Sequence, residues 1–576
     1  MKKLLVYLRP YRLQAILAPC FKLLEAMFEL LVPLIMADII DVGISSGDTA
    51  YILKKCLVLA GLGLCGFASA TCAQYFSAKA ATGATGRLRH ALFAHIQSLS
   101  YAELDRLGTA TLVTRMTSDM TQVQTGLNLT LRLLLRSPIV VFGAMIMAFT
   151  IDTRSALIFA VAIPALFAVV FAIMLSCIPL YRRVQTRLDG VTGAAQENLS
   201  GVRVIRAFTR EQTETESFAE KTGRLFSAQQ FVGRLSALLN PLTYVIINLA
   251  IVAILRVGGV RVNEGAITQG QLIALYNYMS QILVELIKFA NLILNITKSA
   301  ACAGRISQVL DTKSSMADGA GMLPDGAGAP ELEFRHVSFR YPQAGADALT
   351  DISLCAAPGE TIGVIGGTGS GKSTLANLIP RFYDATEGRV LVRGEDVKSL
   401  QLQALRTCIG VVPQKALLFS GTIRENLRWG NADASDEALW DALRAAQADG
   451  VVRDKTGQLD APVEPGGRNF SGGQRQRLTI ARALVRRPEI LILDDSASAL
   501  DFATDAALRK ALSKLPWRPT VVLISQRVSS IRHADRILVL DDGRMAGLGA
   551  HAELMSTCPV YQEICRSQEK GEASAS

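Results

Sequence analysis

Six apolar windows, each near the ~20 residues that a bilayer's hydrocarbon core requires, fill the first 300 residues of this chain. A helix that is apolar all round has to be buried in a large core or in lipid, so six of them in succession leave few folds open. The spans fall at 14–42, 54–78, 132–151, 155–180, 237–259 and 270–297. The third begins with two arginines in "LRLLLRSPIVVFGAMIMAF" and is the least uniform. Composition agrees: 50% of the 576 residues are hydrophobic and 19% charged, with a mean hydropathy of +0.29. That is too apolar for a wholly soluble chain, and 576 residues exceed what one core holds. The opening "MKKLLVYLRPYRLQ" is basic but lacks a small-residue cleavage site after its first apolar stretch. It reads as a retained interfacial segment leading into the first span.

The connections between spans alternate in length and charge. Residues 79–131 carry Lys79, Arg87, Arg89, Arg106 and Arg115, and residues 181–236 carry nine basic side chains from Arg182 to Arg234. The connections at 43–53, 152–154 and 260–269 are short and nearly free of positive charge. The positive-inside tendency puts the N-terminus and both long connections in the cytoplasm. Much of the net charge of +10 is then topological and does not argue for nucleic acid. Both long connections are rich in helix formers and free of the proline that would stop a helix in their interior, so the spans extend beyond the membrane. Each would present a short turn where it can touch a soluble domain. Ten isolated cysteines, with no C-x-x-C pair, predict neither zinc nor a disulfide framework.

At 312–330 the character changes to "TKSSMADGAGMLPDGAGAP", a small-residue linker without apolar period. It divides a membrane domain, 1–311, from a soluble domain, 331–576. In the latter, β-branched runs such as "TIGVIG", "CIGVVP", "EILILDD" and "TVVLIS" alternate with helical stretches, which predicts an α/β domain with a largely parallel sheet. The strand "TIGVI" enters "GGTGSGKSTLANLI", which matches G-x-x-x-x-G-K-[ST]. Gly366, Gly367, Thr368, Gly369, Ser370 and Gly371 let consecutive N–H groups curl toward nucleotide phosphates, and the helix that follows, from Lys372 through Ser373 and Thr374, adds its dipole. Lys372 would reach the β- and γ-phosphates and Ser373 would help hold Mg²⁺. About 120 residues on, "ILILDDSASALD" ends an apolar strand on two acids. The first, Asp494, would hold Mg²⁺ through water. Between them, "NFSGGQRQRLTIARAL" places Ser471, Gly472 and Gly473 at the start of a basic helix, a second anion-binding surface.

Together these motifs resemble the nucleotide-binding domain of an ATP-binding cassette (ABC) transporter, with ATP and Mg²⁺ as its cofactors. "FSGGQ", from Phe470 through Ser471, Gly472, Gly473 and Gln474, resembles the family signature, usually written with Leu at the first position. Tyr341 in "FRYPQA" is similar to the adenine-stacking aromatic. Gln414 in "VVPQ" is similar to the glutamine that touches Mg²⁺ and couples to the membrane domain. "SALD", ending at Asp501, resembles the loop that crosses between two such domains. "LGTATLVTRMTSD" and "ENLSGVRVIRAFTREQTE" are similar to the cytoplasmic loops of the exporter branch. With six spans before the cassette, the resemblance implies a membrane all-α domain fused to a cytosolic α/β P-loop domain: a half-transporter in a multi-pass cell membrane, bacterial by its general form. In that family two cassettes enclose two ATP molecules, each between one chain's phosphate loop and the other's signature, and ATP closes the pair.

Two positions depart from the family. Where the family has Glu after the metal aspartate to polarise the attacking water, this chain has Asp495. Where it has a histidine on the γ-phosphate, "LISQRVSS" has Gln526. Aspartate is a methylene short of the same water, glutamine carries no charge, and losing a positioned general base costs about 10²–10⁴-fold. The expectation is a site that holds ATP and hydrolyses it poorly, paired with a second half-transporter that carries Glu and His. A functional homodimer, or a regulatory or channel-like ABC protein in which ATP gates and does not drive, are the alternatives. Within the spans, Lys22, Glu25 and Glu29 share one helical face, and Glu285 and Lys288 another. Acids at membrane depth are functional by default, as contacts for a cationic amphiphile or as ion pairs between spans. They do not identify whether the cargo is a drug-like molecule, a lipid or a peptide.

Overall fold

The computed structural model describes residues 4–324, 328–342 and 344–573. The chain forms two compact units, one of Met1–Gln97 with Thr109–Thr312, the other of Ser98–Gly108 with Lys313–Ser576.

The first unit is helical throughout. Among the described residues, five helices are long and apolar enough to cross a membrane: Thr49–Ser98, Thr109–Ile151, Thr153–Ser200, Glu211–Asn263 and Gln269–Asp311. Each contains one of the second to sixth expected spans and runs beyond it. The helix at the first, Arg12–Asp38, has 27 residues, length enough, but Lys22, Glu25 and Glu29 interrupt its apolar middle and set it apart from the other five. The 50 residues of Thr49–Ser98 extend about 75 Å at 1.5 Å per residue, more than twice the ~30 Å of a hydrocarbon core. The break at the start of the third span has a local cause. Pro138 lies in the first turn of Arg136–Ile151 and has no N–H to continue a helix through Leu134 and Leu135.

Packing in this unit depends on small residues and buried polar ties, because lipid-facing helices gain little from apolarity alone. A Cβ added at Gly270 would lie 2.4 Å from Ala37 O, so the helices Arg12–Asp38 and Gln269–Asp311 touch through backbone there. Tyr278, fully buried, donates to Leu30 O at 2.6 Å. The charged residues singled out in the first and last spans converge on a side chain that the sequence alone did not mark. Arg136 donates to Glu285 Oε1 and to Glu29 Oε2, both at 2.5 Å, with Glu25 Oε1 at 3.9 Å. Lys22 pairs with Glu25 at 2.5 Å and Lys288 with Glu285 at 2.9 Å. Three acids thus meet three bases, and of the two roles expected for these acids the structure gives the ion pair between helices. At the far end of Thr153–Ser200, a turn at Gly201 leads into the short helix Val202–Ala207, where Val204 and Phe208 are exposed.

The second unit is built on a six-stranded sheet. From one edge its strands are Arg544–Gly549, Arg536–Asp541, Thr361–Gly366, Thr520–Ile524, Ile490–Asp494 and Ile409–Val412. All neighbours are parallel except the first pair. The runs are β-branched and continuous because both faces are covered: four of the five residues of Ile490–Asp494 are buried. A second, antiparallel sheet orders Leu349–Ala356, Leu332–Phe339, Glu387–Val392 and Glu395–Asp396. The helix Tyr101–Leu107 belongs to this unit. Tyr101 packs its ring 4.7 Å from that of Phe382, and Tyr383 donates its hydroxyl to Asp105 Oδ2 at 2.5 Å. The first long connection therefore does present a short turn to the soluble domain. Part of the linker stretch is also held in place: Gly321 N donates to Ser399 O at 2.9 Å, and Leu402 N to Asp318 Oδ1 at 2.8 Å. Residues 325–327 of that stretch lie outside the described residues.

Candidate nucleotide site

Parallel strands deliver the site residues to one end of the sheet, where α/β folds place their ligands. Gly366 closes the strand Thr361–Gly366, and Asp494 closes Ile490–Asp494. The loop between Gly366 and Lys372 is shaped by its glycines. Gly371 has φ 94°, and a Cβ there would lie 2.6 Å from Ala348 O, so no other residue fits that turn. At Gly367 and Gly369 a Cβ would meet nothing within 4 Å, so the loop is uncrowded at both positions. Lys372 is buried, and its ammonium donates to Gly366 O at 2.9 Å and Gly367 O at 2.5 Å. Burial lowers the Lys372 pKa, opposed by the nearby Asp495 and Asp494. A buried cation held at an uncrowded glycine loop is suited to phosphate oxygens.

Two of the residues expected to hold Mg²⁺ are hydrogen-bonded to each other. Ser373 Oγ donates to Asp494 Oδ1 at 3.2 Å, bringing a hydroxyl and a carboxylate together. Gln414, in the turn after Ile409–Val412, donates Nε2 to Asp495 Oδ2 at 3.4 Å. Hydroxyl, carboxylate and amide oxygens suit Mg²⁺, a hard cation that takes oxygen ligands and shares them with phosphate. Burial raises the Asp494 pKa, and the Asp495 carboxylate adds to that while Ser373 opposes it. Burial also raises that of Asp495, countered by the Gln414 side chain and the Gln526 backbone N–H. Asp495 occupies the left-handed region at φ 45°, which aspartate tolerates better than most residues. Its N–H donates to Ile524 O at 2.9 Å. Gln526 is the second residue past the strand Thr520–Ile524 and its side chain is exposed. The two departures from the family pattern therefore lie on neighbouring strand ends of one site.

Tyr341 joins the same region through Thr374, whose Oγ1 lies 3.1 Å from the Tyr341 hydroxyl. Sequence reasoning missed Tyr383, whose ring meets Tyr341 edge-on at 5.4 Å and whose hydroxyl holds Asp105. The aromatic run of "RFYD" was its only sequence signal.

Ser471 to Gln474 and Asp501 are placed elsewhere. Ser471 caps the helix Gly472–Val485 in a capping box with Gln474, leaving N–H groups at a helix start. Asp501 caps Phe502–Leu512 by accepting from Thr504 N at 2.8 Å. Among the described residues no hydrogen bond links Ser471, Gly472, Gly473 or Gln474 to the phosphate loop of the same chain.

Comparison with known proteins agrees with this geometry. The family model for the ABC transporter transmembrane region matches residues 15–286, and that for the ABC transporter matches 349–498. An uncharacterized ABC transporter ATP-binding protein of Mycobacterium tuberculosis is 38% identical over 98% of this chain and 97% of its own length. The ATP-dependent lipid A-core flippase of Yersinia pestis is 30% identical over 97% and 96%. A bacterial Atm1-family ABC exporter solved with ATP bound superposes with a TM-score of 0.82 at 24% identity, covering 97% of this chain and 99% of that one. This chain belongs to the ABC transporters, a multi-pass membrane protein with the exporter fold and an ATP-binding cassette in the same polypeptide.

Proposed function

We propose that this chain is one half of a two-chain exporter, that its own site binds MgATP and hydrolyses it poorly, and that its signature completes the competent site of a different half-transporter. Residues 1–311 would form the membrane part with six spans and residues 331–576 the cassette. The cassette and the N-terminus would face the cytoplasm of a bacterial cell. The observation that carries the reading is the coincidence of Asp495 and Gln526 beside an intact Lys372, Ser373 and Asp494. Lys372 and the glycine loop would grip phosphate. Asp495 is held back by its Gln414 hydrogen bond and is a methylene shorter than glutamate, so the place where a base would polarise water is poorly filled. Gln526 offers a hydrogen bond there but no charge. Bound Mg²⁺ would neutralise phosphate charge at Ser373 and Asp494.

Two further features support a partner chain. Signature donors lie away from their own phosphate loop, so a second cassette is needed for them to meet a nucleotide. The exposed Val204 and Phe208 at the tip of the second long connection are apolar side chains suited to a docking surface. The name of the Yersinia relative suggests an amphiphilic, lipid-like cargo.

The test is steady-state MgATP hydrolysis by the purified full-length chain in nanodiscs, alone and with the ABC half-transporter of the neighbouring open reading frame. The lone chain should bind ATP yet turn over about 10²–10⁴-fold more slowly than the pair. The double change Asp495→Glu with Gln526→His should raise its turnover. Robust hydrolysis by the unaltered lone chain would overturn the proposal in favour of a working homodimer.

A further inference from the structure

The three residues Gln526–Val528 are gripped from one side and grip something on the other. Gln568, on the helix Pro559–Ala573, donates Nε2 to Gln526 O at 2.7 Å and accepts from Val528 N at 2.9 Å. The helix is itself anchored, with Tyr561 and Cys565 buried in the core. Between the two clipped residues, Arg527 points the other way. Its backbone N–H is fixed on Ser525 Oγ at 3.0 Å. Its guanidinium donates to Leu500 O and to Ser498 O, each at 3.3 Å, and lies 5.1 Å from the centre of the Phe502 ring. The carbonyl between those two, Ala499 O, faces Gly473: a Cβ added at Gly473 would lie 2.9 Å from it. One loop, Ser498–Leu500, is therefore held by Arg527 at two carbonyls and abuts the signature at the third.

We propose that Arg527 is a positioning residue for ATP hydrolysis. It ties the segment that carries Gln526 to the loop that ends at Asp501, and through Ala499 to the start of the signature helix. The inference rests on the reading that this loop and Ser471–Gln474 face a second chain's nucleotide. The strand end that senses one nucleotide and the surface offered to the other are then one mechanical piece. Arginine suits the task because its planar fork presents donors to two carbonyls at once, whereas a lysine ammonium has no such fixed fork. The exposed Phe502 ring stacks on that fork and helps hold its plane. Gln568 supplies the anchored side of the bracket, so Arg527 holds the loop against a fixed segment.

The experiment compares Arg527→Met and Arg527→Lys with the unaltered full-length chain in nanodiscs, using MgATP as the probe. It reads kcat, KM for ATP and the melting temperature. In Arg527→Met, kcat should fall about tenfold, the loss of charge-assisted positioning bonds, while KM stays within about twofold and the melting temperature is unchanged. Arg527→Lys should recover part of kcat by reaching one carbonyl, and it keeps the question answerable if the methionine variant does not fold. An unchanged kcat in Arg527→Met, or a fall that tracks a lowered melting temperature and a raised KM, would overturn the proposal. The comparison is made in whichever assembly turns over, the two-chain complex or the lone chain. Failure of the two-chain reading would show in the unaltered lone chain, and failure of this inference only in the variants against it.

Discussion

Replacing Arg136 by methionine tests whether the charged cluster of the membrane unit is a tie between helices or a contact for cargo. Arg136 exposes 6% of its side chain and its partner Glu285 only 3%. Breaking a buried pair from one side leaves an uncompensated charge and costs about 3–5 kcal/mol. Two local facts set the value at the lower end. Glu285 keeps Lys288 at 2.9 Å and the Ser137 hydroxyl at 3.1 Å, and Glu29 is not buried, being exposed by 39%. Arg136→Met should therefore cost about 3 kcal/mol, which in a unit of this size lowers the melting temperature in nanodiscs by roughly 5–10 °C. Arg136→Met with Glu285→Leu removes both buried charges, and the Lys288 left behind is itself about half exposed. Because apolar replacement of a whole buried pair is often neutral or stabilising, the double variant should melt within about 1 kcal/mol of the parent. If the single variant melts with the parent, or the double falls as far as the single, Arg136 is not the buried tie described here. Transport assays on the double variant then separate the two roles. A tie between helices predicts retained transport once stability is restored, whereas a cargo contact predicts its loss at full stability.

The cassette offers two further checks. Lys372→Met removes the buried ammonium from the phosphate loop and should weaken ATP binding at this site by roughly tenfold to a hundredfold, the range for a lost hydrogen bond to a charged group; equilibrium titration with a fluorescent ATP analogue reads it, and unchanged affinity would remove Lys372 from the site. Burial pushes the Cys408 thiol up to about 12, so at pH 8 about one thiol in ten thousand is thiolate, the reactive form. Maleimide followed by mass spectrometry should label the exposed Cys355 in the folded chain and Cys408 only after unfolding; early labelling of Cys408 would show that the Ile409 edge of the sheet opens.

What the sequence disclosed and what it hid separate along one physical line. A phosphate loop needs its glycines, lysine and hydroxyl within one turn of backbone, so Gly366 to Ser373 spell the site in eight consecutive letters. The strand that ends on Asp494 is readable for the same reason, since a two-sided parallel sheet demands an unbroken apolar run before the acid. The spans are legible because lipid imposes its length on each helix separately. Arg136 was hidden because its meaning depends on Glu29 and Glu285, which lie 107 and 149 residues away; read locally, it is only a charge that spoils an apolar window. Its one sequence signal was the presence of acids, among them Glu25, Glu29 and Glu285, on other spans. Tyr383 joins Asp105 across 278 residues, and no local pattern asks for either. Arg527 was quoted beside Gln526 and passed over, because two backbone carbonyls leave no imprint on the residue types that supply them. Ser498, Ala499 and Leu500 could be almost any residues and still offer those oxygens. Side chains that recognise backbone are thus the part of an active centre that sequence conceals best. It follows that the family of this cassette could be read from its motifs, while the parts that hold those motifs in register had to be found in three dimensions.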